Sequence, residues 1–171
     1  MDGRDTHLLT QFIKLGNTMT TLTQRFIAPY YQASNLLNYL QPLALLAARL
    51  YVAWVFFAAG LTKLRDWDTT LFLFEEEYSV PVIPFELAAY LGTAGEILLP
   101  IILVLGLASR FGALGLSIVN IIAVISLVEI APAALYAHVI WGLLLMQVVV
   151  FGGGKLSVDH LFKKRLSTDN N

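Results

Sequence analysis

A helix needs roughly 20 mostly apolar residues to cross the ~30 Å hydrocarbon core of a bilayer. Four stretches of this chain meet that condition: about Pro42 to Leu61, Phe85 to Leu105, Phe111 to Ile130 and Pro132 to Phe151. The breaker-rich "SVPVIP" precedes the second, "GLASR" separates it from the third, and Gly152, Gly153 and Gly154 stop the fourth. Pro100 lies inside the second span, where it is expected to kink the helix or leave a carbonyl free.

Composition agrees with that reading. The 171 residues are 57% hydrophobic and 13% charged, with mean hydropathy +0.70, whereas a soluble domain is about 45–50% apolar and about 25% charged. The expected fold is an all-α membrane protein, a four-transmembrane-helix bundle with flanking interfacial amphipathic helices. Its parts are an N-terminal segment over 1–41, the membrane domain over 42–154 and an amphipathic tail over 155–171. A net charge of −1 gives no support for nucleic-acid binding. With no cysteine, the chain offers no disulfide, thiol nucleophile or cysteine-ligated metal.

Residues 1–41 scatter Arg4, Asp5, Lys14 and Arg25 among apolar positions, so no secretory h-region is visible, and Met19 is an alternative start. Arg25, Arg110, Lys155, Lys163, Lys164 and Arg165 fall on one side of the spans. Lys63 and Arg65 fall on the other, beside Asp66, Asp68 and Glu75 to Glu77. The positive-inside rule then predicts both termini in the cytoplasm and the acidic 62–84 segment outside. "WDTTLFLFEEEY" reads as a short outer-surface helix capped by Asp68, and "KLSVDHLFKKRL" as a basic amphipathic helix capped by Ser157.

Polar groups inside the spans carry the functional signal, because an arginine at mid-membrane costs about 2.5–3.5 kcal/mol on insertion scales. Arg49 and Glu96 lie at similar depth on consecutive antiparallel helices and are expected to pair. Phe56, Gly60 and Lys63 share the Arg49 face, making it the inner one. Lys63 and Glu86, near the outer boundary, form a second expected pair of structural character. Asn120 and Glu129 of the third span lie on opposite faces, so at most one of them points inward. Trp54, Trp67 and Trp141 suit interface anchors.

His138 is the sole histidine at membrane depth, which excludes a bis-histidine haem within the chain, and no metal-ligand set is visible. The candidate catalytic groups are therefore Arg49, Glu96 and His138. With Tyr51, Tyr90 and Thr93 they outline a candidate pocket for a polar-headed hydrophobic molecule such as a quinone, whose carbonyls want donors. The same cluster also suits a proton relay. The structural alternative is that the Arg–Glu pair only fixes helix register.

Beyond these residues, the sequence resembles the DoxX family of small bacterial inner-membrane proteins. The resemblance rests on "RLYVAWVFFAAGLTKL", "TAGEILLPIILVLGLASR", His138 and the closing "GGGKLSVDHLF", and covers about Leu43 to Phe162. It implies a four-helix membrane bundle associated with oxidoreductases, such as a quinone-linked or non-catalytic subunit of a membrane oxidoreductase complex.

Three functions fit. A redox-associated, quinone-interacting subunit predicts a cavity bounded by Arg49, Glu96 and His138. A scaffold or assembly factor, whether for partner proteins or as a homo-oligomer, predicts a neutralised core without one. A solute or proton permease predicts a wet path through the bilayer, and the lack of matching broken helices makes that the weakest of the three.

Overall fold

A computed structural model describes residues 3–168, with side chains from Gln24 to Leu166 apart from Phe26. Its elements are α1 (Gly3–Arg65), α2 (Trp67–Glu76), α3 (Phe85–Leu105), α4 (Ser109–Ile125), α5 (Pro132–Phe151) and α6 (Val158–Thr168). Residues 1–41 and 42–171 form two separate compact units. The first is helical from Gly3 on, and its side chains before Gln24, His7 among them, lie outside the described residues. The bundle belongs to the second.

The all-α membrane architecture is as expected, with corrections at element ends. Pro42 does not start a helix but lies inside α1, as apolar helices tolerate a proline whose freed carbonyl finds other partners. Among the described residues three helices are long and apolar enough to cross a membrane, α1 through its Ile27–Arg65 stretch, α3 and α5. The third expected span stops early, at Ile125 rather than Ile130. Ser126 ends it by donating its N–H to Ile122 O at 2.9 Å, and its own carbonyl accepts from Ser79 N at 2.8 Å. The 17-residue α4 is therefore ~26 Å long at 1.5 Å per residue. The cap of α2 is Asp66, not Asp68: its carboxylate accepts from Thr69 N at 3.0 Å and from Thr69 Oγ1 at 2.7 Å. Ser157 does cap α6, accepting from His160 N at 3.3 Å.

Four helices share one core. Val52, Ala53 and Phe56 of α1 meet Leu103 of α3, Leu116 of α4 and Leu145 of α5. Outward-facing positions such as Trp54, Leu98, Ile121, Leu143 and Val150 are exposed apolar groups, as a lipid-facing surface requires. Gly60 lets α1 and α3 approach, since a Cβ there would sit 2.8 Å from Ile97 Cδ1 and 3.0 Å from Glu96 Cβ.

At the end where α3 stops and α5 stops, the chain turns back through left-handed glycines, Gly106 (φ 69), Gly152 (φ 73) and Gly154 (φ 72). Their turns leave backbone carbonyls inside the bundle, and Arg49 takes them. It is 1% exposed and donates from Nη1 to Gly153 O at 2.6 Å and from Nη2 to Leu156 O at 2.8 Å. Asp159 closes the other side. Its carboxylate accepts from Ala108 N at 2.7 Å and from Ser109 N and Oγ at 2.8 Å each, capping α4. Its own N–H donates to Gly106 O at 3.0 Å. Ala108 is held at φ 46, ψ 46, a left-handed conformation costly for a non-glycine residue, and the bonds to Asp159 offset that cost.

Burial acts to raise the Asp159 carboxyl, but the hydrogen bonds from Ser109 and Ala108, helped by the Arg49 charge, outweigh it and hold the group below its ordinary range. The unfolded chain therefore takes up this proton first on acidification, so the contribution is present at neutral pH and is lost as pH falls through the lowered value. Loss of a capping carboxylate costs about 0.5–2 kcal/mol. Asp159→Ala should thus lower the melting temperature in detergent at pH 7. The gap between variant and parent should narrow when the melts are repeated at about pH 3, near or below the usual aspartate range. An undiminished gap at low pH would show that the carboxylate is not what holds this end.

Candidate functional site

The opposite end of the bundle, where α1 ends and α3 and α5 begin, encloses a cavity of about 560 Å³. This falls within the roughly 300–1,000 Å³ range of small-molecule sites. Its wall is mainly apolar and draws on every helix from α1 to α5, with Phe56 and Ala59 from α1, Phe74 from α2 and Gly92 from α3. Ile122 and Ala123 come from α4 and Trp141 from α5. Polar groups enter at Lys63, Tyr78, Glu96, Ser126 and His138.

Glu96 is 7% exposed, and its partner is Lys63, with Nζ 2.6 Å from Oε2. Both expected ion pairs are therefore corrected. Arg49 does not meet Glu96, because its guanidinium is spent on carbonyls at the far end of the bundle. Lys63 does not pair with Glu86, which is exposed in the first turn of α3, where a carboxylate suits the helix dipole. Gly60 packs directly against Glu96, so Arg49, 11 residues earlier in α1, is displaced by ~16 Å along the helix and is not at the depth of Glu96. Lys63 lies almost four turns closer than Arg49 to the cavity end, and its long side chain reaches inward rather than to water. Pro100, four residues after Glu96, has no N–H to give the Glu96 carbonyl, although α3 continues through it.

On the facing side, Asn120 and His138 form a two-point contact. Asn120 Nδ2 donates to His138 O at 3.0 Å, and Asn120 Oδ1 lies 2.8 Å from His138 Nδ1. Asn120 is thus the inward-facing polar residue of α4, while Glu129 is exposed beyond its end. Trp141 packs edge-on against the His138 ring at 4.8 Å between centroids and against Phe56 at 6.0 Å. Tyr78 sits in the segment after α2. Burial, then the charges of Glu77 and Glu96, push its phenol above the usual value, so it stays protonated.

The remaining candidates lie apart from this cavity. Tyr51 does not line it but receives a 3.4 Å hydrogen bond from Trp141 Nε1 on the outer surface. Tyr90 and Thr93 line a separate groove of about 540 Å³ with Leu64, Trp67 and Ile97. There Trp67 stacks on Tyr90 at 4.8 Å, and the buried Thr93 hydroxyl has no hydrogen-bond partner among the described residues. Glu96 and His138 alone of the six expected pocket residues line the main cavity. Lys63, Tyr78 and Ser126 complete its polar lining, and Asn120 stands behind His138 as its hydrogen-bond partner. Asn120 was legible as a mid-depth polar group, whereas Tyr78 lies in a loop and carried no periodic signal. No group of acidic and histidine residues suited to a metal ion exists among the described residues.

The pairing is testable by a double-mutant cycle. Lys63→Met strands a buried carboxylate and should destabilise by about 3–5 kcal/mol, while adding Glu96→Gln should restore most of the loss. Arg49→Met combined with Glu96→Gln should instead be additive. Unfolding in mixed micelles gives the values, and additivity for Lys63 with coupling for Arg49 would reverse the assignment.

Comparison with known proteins relates most of the bundle to a family. Residues 44–129 match the DoxX family model. A Haemophilus influenzae protein, itself described as uncharacterized, is 29% identical over 130 residues, covering 71% of this chain and 84% of its own length. No solved structure matches. With the family model covering half of its length, from α1 to the link after α4, this chain belongs to the DoxX family of proteins.

Proposed function

We propose that this DoxX protein is a redox-associated membrane subunit that holds a quinone-type molecule for a partner oxidoreductase. The observation that carries the reading is the cavity itself. An apolar chamber of about 560 Å³ carries two polar stations, the Lys63–Glu96 pair and His138, the latter held from behind by Asn120. Such a chamber suits a ring with a polar atom at each end and an apolar body, and its residues fit that group by volume and by donor–acceptor content. Lys63 Nζ and the Tyr78 phenol supply donors, while Glu96 and His138 supply acceptors. A chain acting only as a scaffold has no need of an open space of this size in its core, where empty volume costs stability.

The membrane is the bacterial inner membrane, with both termini in the cytoplasm and the cavity in the outer half. The excess of Lys and Arg at the α6 end supports this orientation, Lys155, Lys163 and Arg165 in particular. Compartment reporters fused after Asp68 and after Phe162 should report periplasm and cytoplasm respectively, and the same compartment for both would refute it.

Function is tested by what the protein retains. Purified in native lipid, the chain should release a prenylated quinone on solvent extraction at near one per protein. Ala59→Leu with Ala123→Leu, which fills the cavity, should abolish retention while the melting temperature holds. Equal quinone content in the filled variant would mean that the molecule is bulk lipid carried along, and the reading would fail.

A further inference from the structure

We infer that the cavity selects the reduced, dihydroxy form of such a ring over the oxidised, dicarbonyl form. The inference rests on the reading of the cavity as a quinone-type site and adds which form it takes.

The Asn120–His138 contact decides the matter. The His138 carbonyl has no proton, so the amide group 3.0 Å from it must be the donating NH₂ of Asn120. That fixes Oδ1 as the atom 2.8 Å from the ring, and an amide oxygen can only accept. Nδ1 must then carry the proton. In the neutral ring, Nε2 is left as a bare lone pair, with no hydrogen-bond partner among the described residues, on a side chain that lines the cavity. Glu96, also in the chamber wall, gives Oε2 to Lys63, and Oε1 has no hydrogen-bond partner among the described residues.

Two residues of the chamber wall thus each hold an acceptor-only atom without a partner among the described residues. A hydroxyl donates to either one, whereas a carbonyl sets lone pair against lone pair and leaves Nε2 unsatisfied. The other polar groups do not discriminate. The Lys63 ammonium and the Tyr78 phenol donate equally well to a carbonyl or to a hydroxyl oxygen. Selection therefore falls to His138, with Glu96 second, and Asn120 is the positioning residue that keeps the ring in the selecting tautomer.

The full chain, in nanodiscs of phosphatidylcholine, is titrated with a short-chain prenylated benzoquinone and, anaerobically, with its hydroquinone. Quenching of tryptophan emission reads binding, since Trp141 lines the cavity. The hydroquinone should bind about tenfold tighter, the weight of one net hydrogen bond. Asn120→Leu frees the ring to adopt either tautomer and should bring the two affinities to within about twofold, one form's loss being the other's gain. If that variant does not fold, His138→Phe, which removes both ring nitrogens, should equally erase the preference. Equal or tighter binding of the oxidised form by the parent chain would overturn the selection and leave the cavity reading standing. Binding of neither form would overturn both. Full preference retained in a folded Asn120→Leu protein would show that the tautomer is not the selecting element.

Discussion

The guanidinium of Arg49 is the interaction on which the closed end of this bundle depends. Ending α5 inside an apolar protein strands carbonyls that water cannot reach, and each would cost free energy if left alone. A single planar cation satisfies two of them, at Gly153 and Leu156, and sits in the field of Asp159. The glycines follow from that placement. A Cβ at Gly106 or at Gly153 would come within 2.8 Å of Arg49 Nη1. An arginine in an apolar helix, a glycine-rich stop and an aspartate one turn further on are therefore one device, assembled from sequence positions more than 100 residues apart.

This explains how much of the molecule was readable in advance. Hydropathy located α3 and α5, because a membrane-length apolar run has few other solutions. It overran α4, since Val128 and Ile130 are as apolar as a span residue although they belong to a link held by backbone bonds to another loop. The polar groups were correctly singled out as costly, but their partners were not. Matching charges by depth assumes that side chains meet side chains. Arg49 instead meets backbone, and a carbonyl carries no signature in the sequence. The closing "GGGKLSVDHLF" held the answer, as its glycines expose those carbonyls and its Asp159 supplies the countercharge.

Once Arg49 is committed elsewhere, the cavity's chemistry changes. A guanidinium beside Glu96 would have made a strongly donor-rich floor, suited to a carbonyl. Lys63 with Glu96 gives a smaller cation and a carboxylate with one oxygen to spare, and Asn120 with His138 adds a directed acceptor. Charge separation along the bundle thus divides the labour. One end holds the helices together, and the other keeps polar groups available.

The loops at the cavity end are themselves joined. Tyr78 bridges to Leu127, and Ser79 N donates to Ser126 O at 2.8 Å, so the link after α2 and the link after α4 form one clasp. Tyr78, Ser126 and Leu127 of that clasp are also cavity wall. With the watery end fastened in this way, the proposed long-tailed ligand would have to enter sideways, between helices, with its tail remaining among lipid chains. The relevant concentration is then that of a solute dissolved in a thin oil film. Lipid-soluble molecules are enriched there by partitioning, so under the proposed reading a modest intrinsic affinity would suffice to fill the chamber and would still permit rapid exchange.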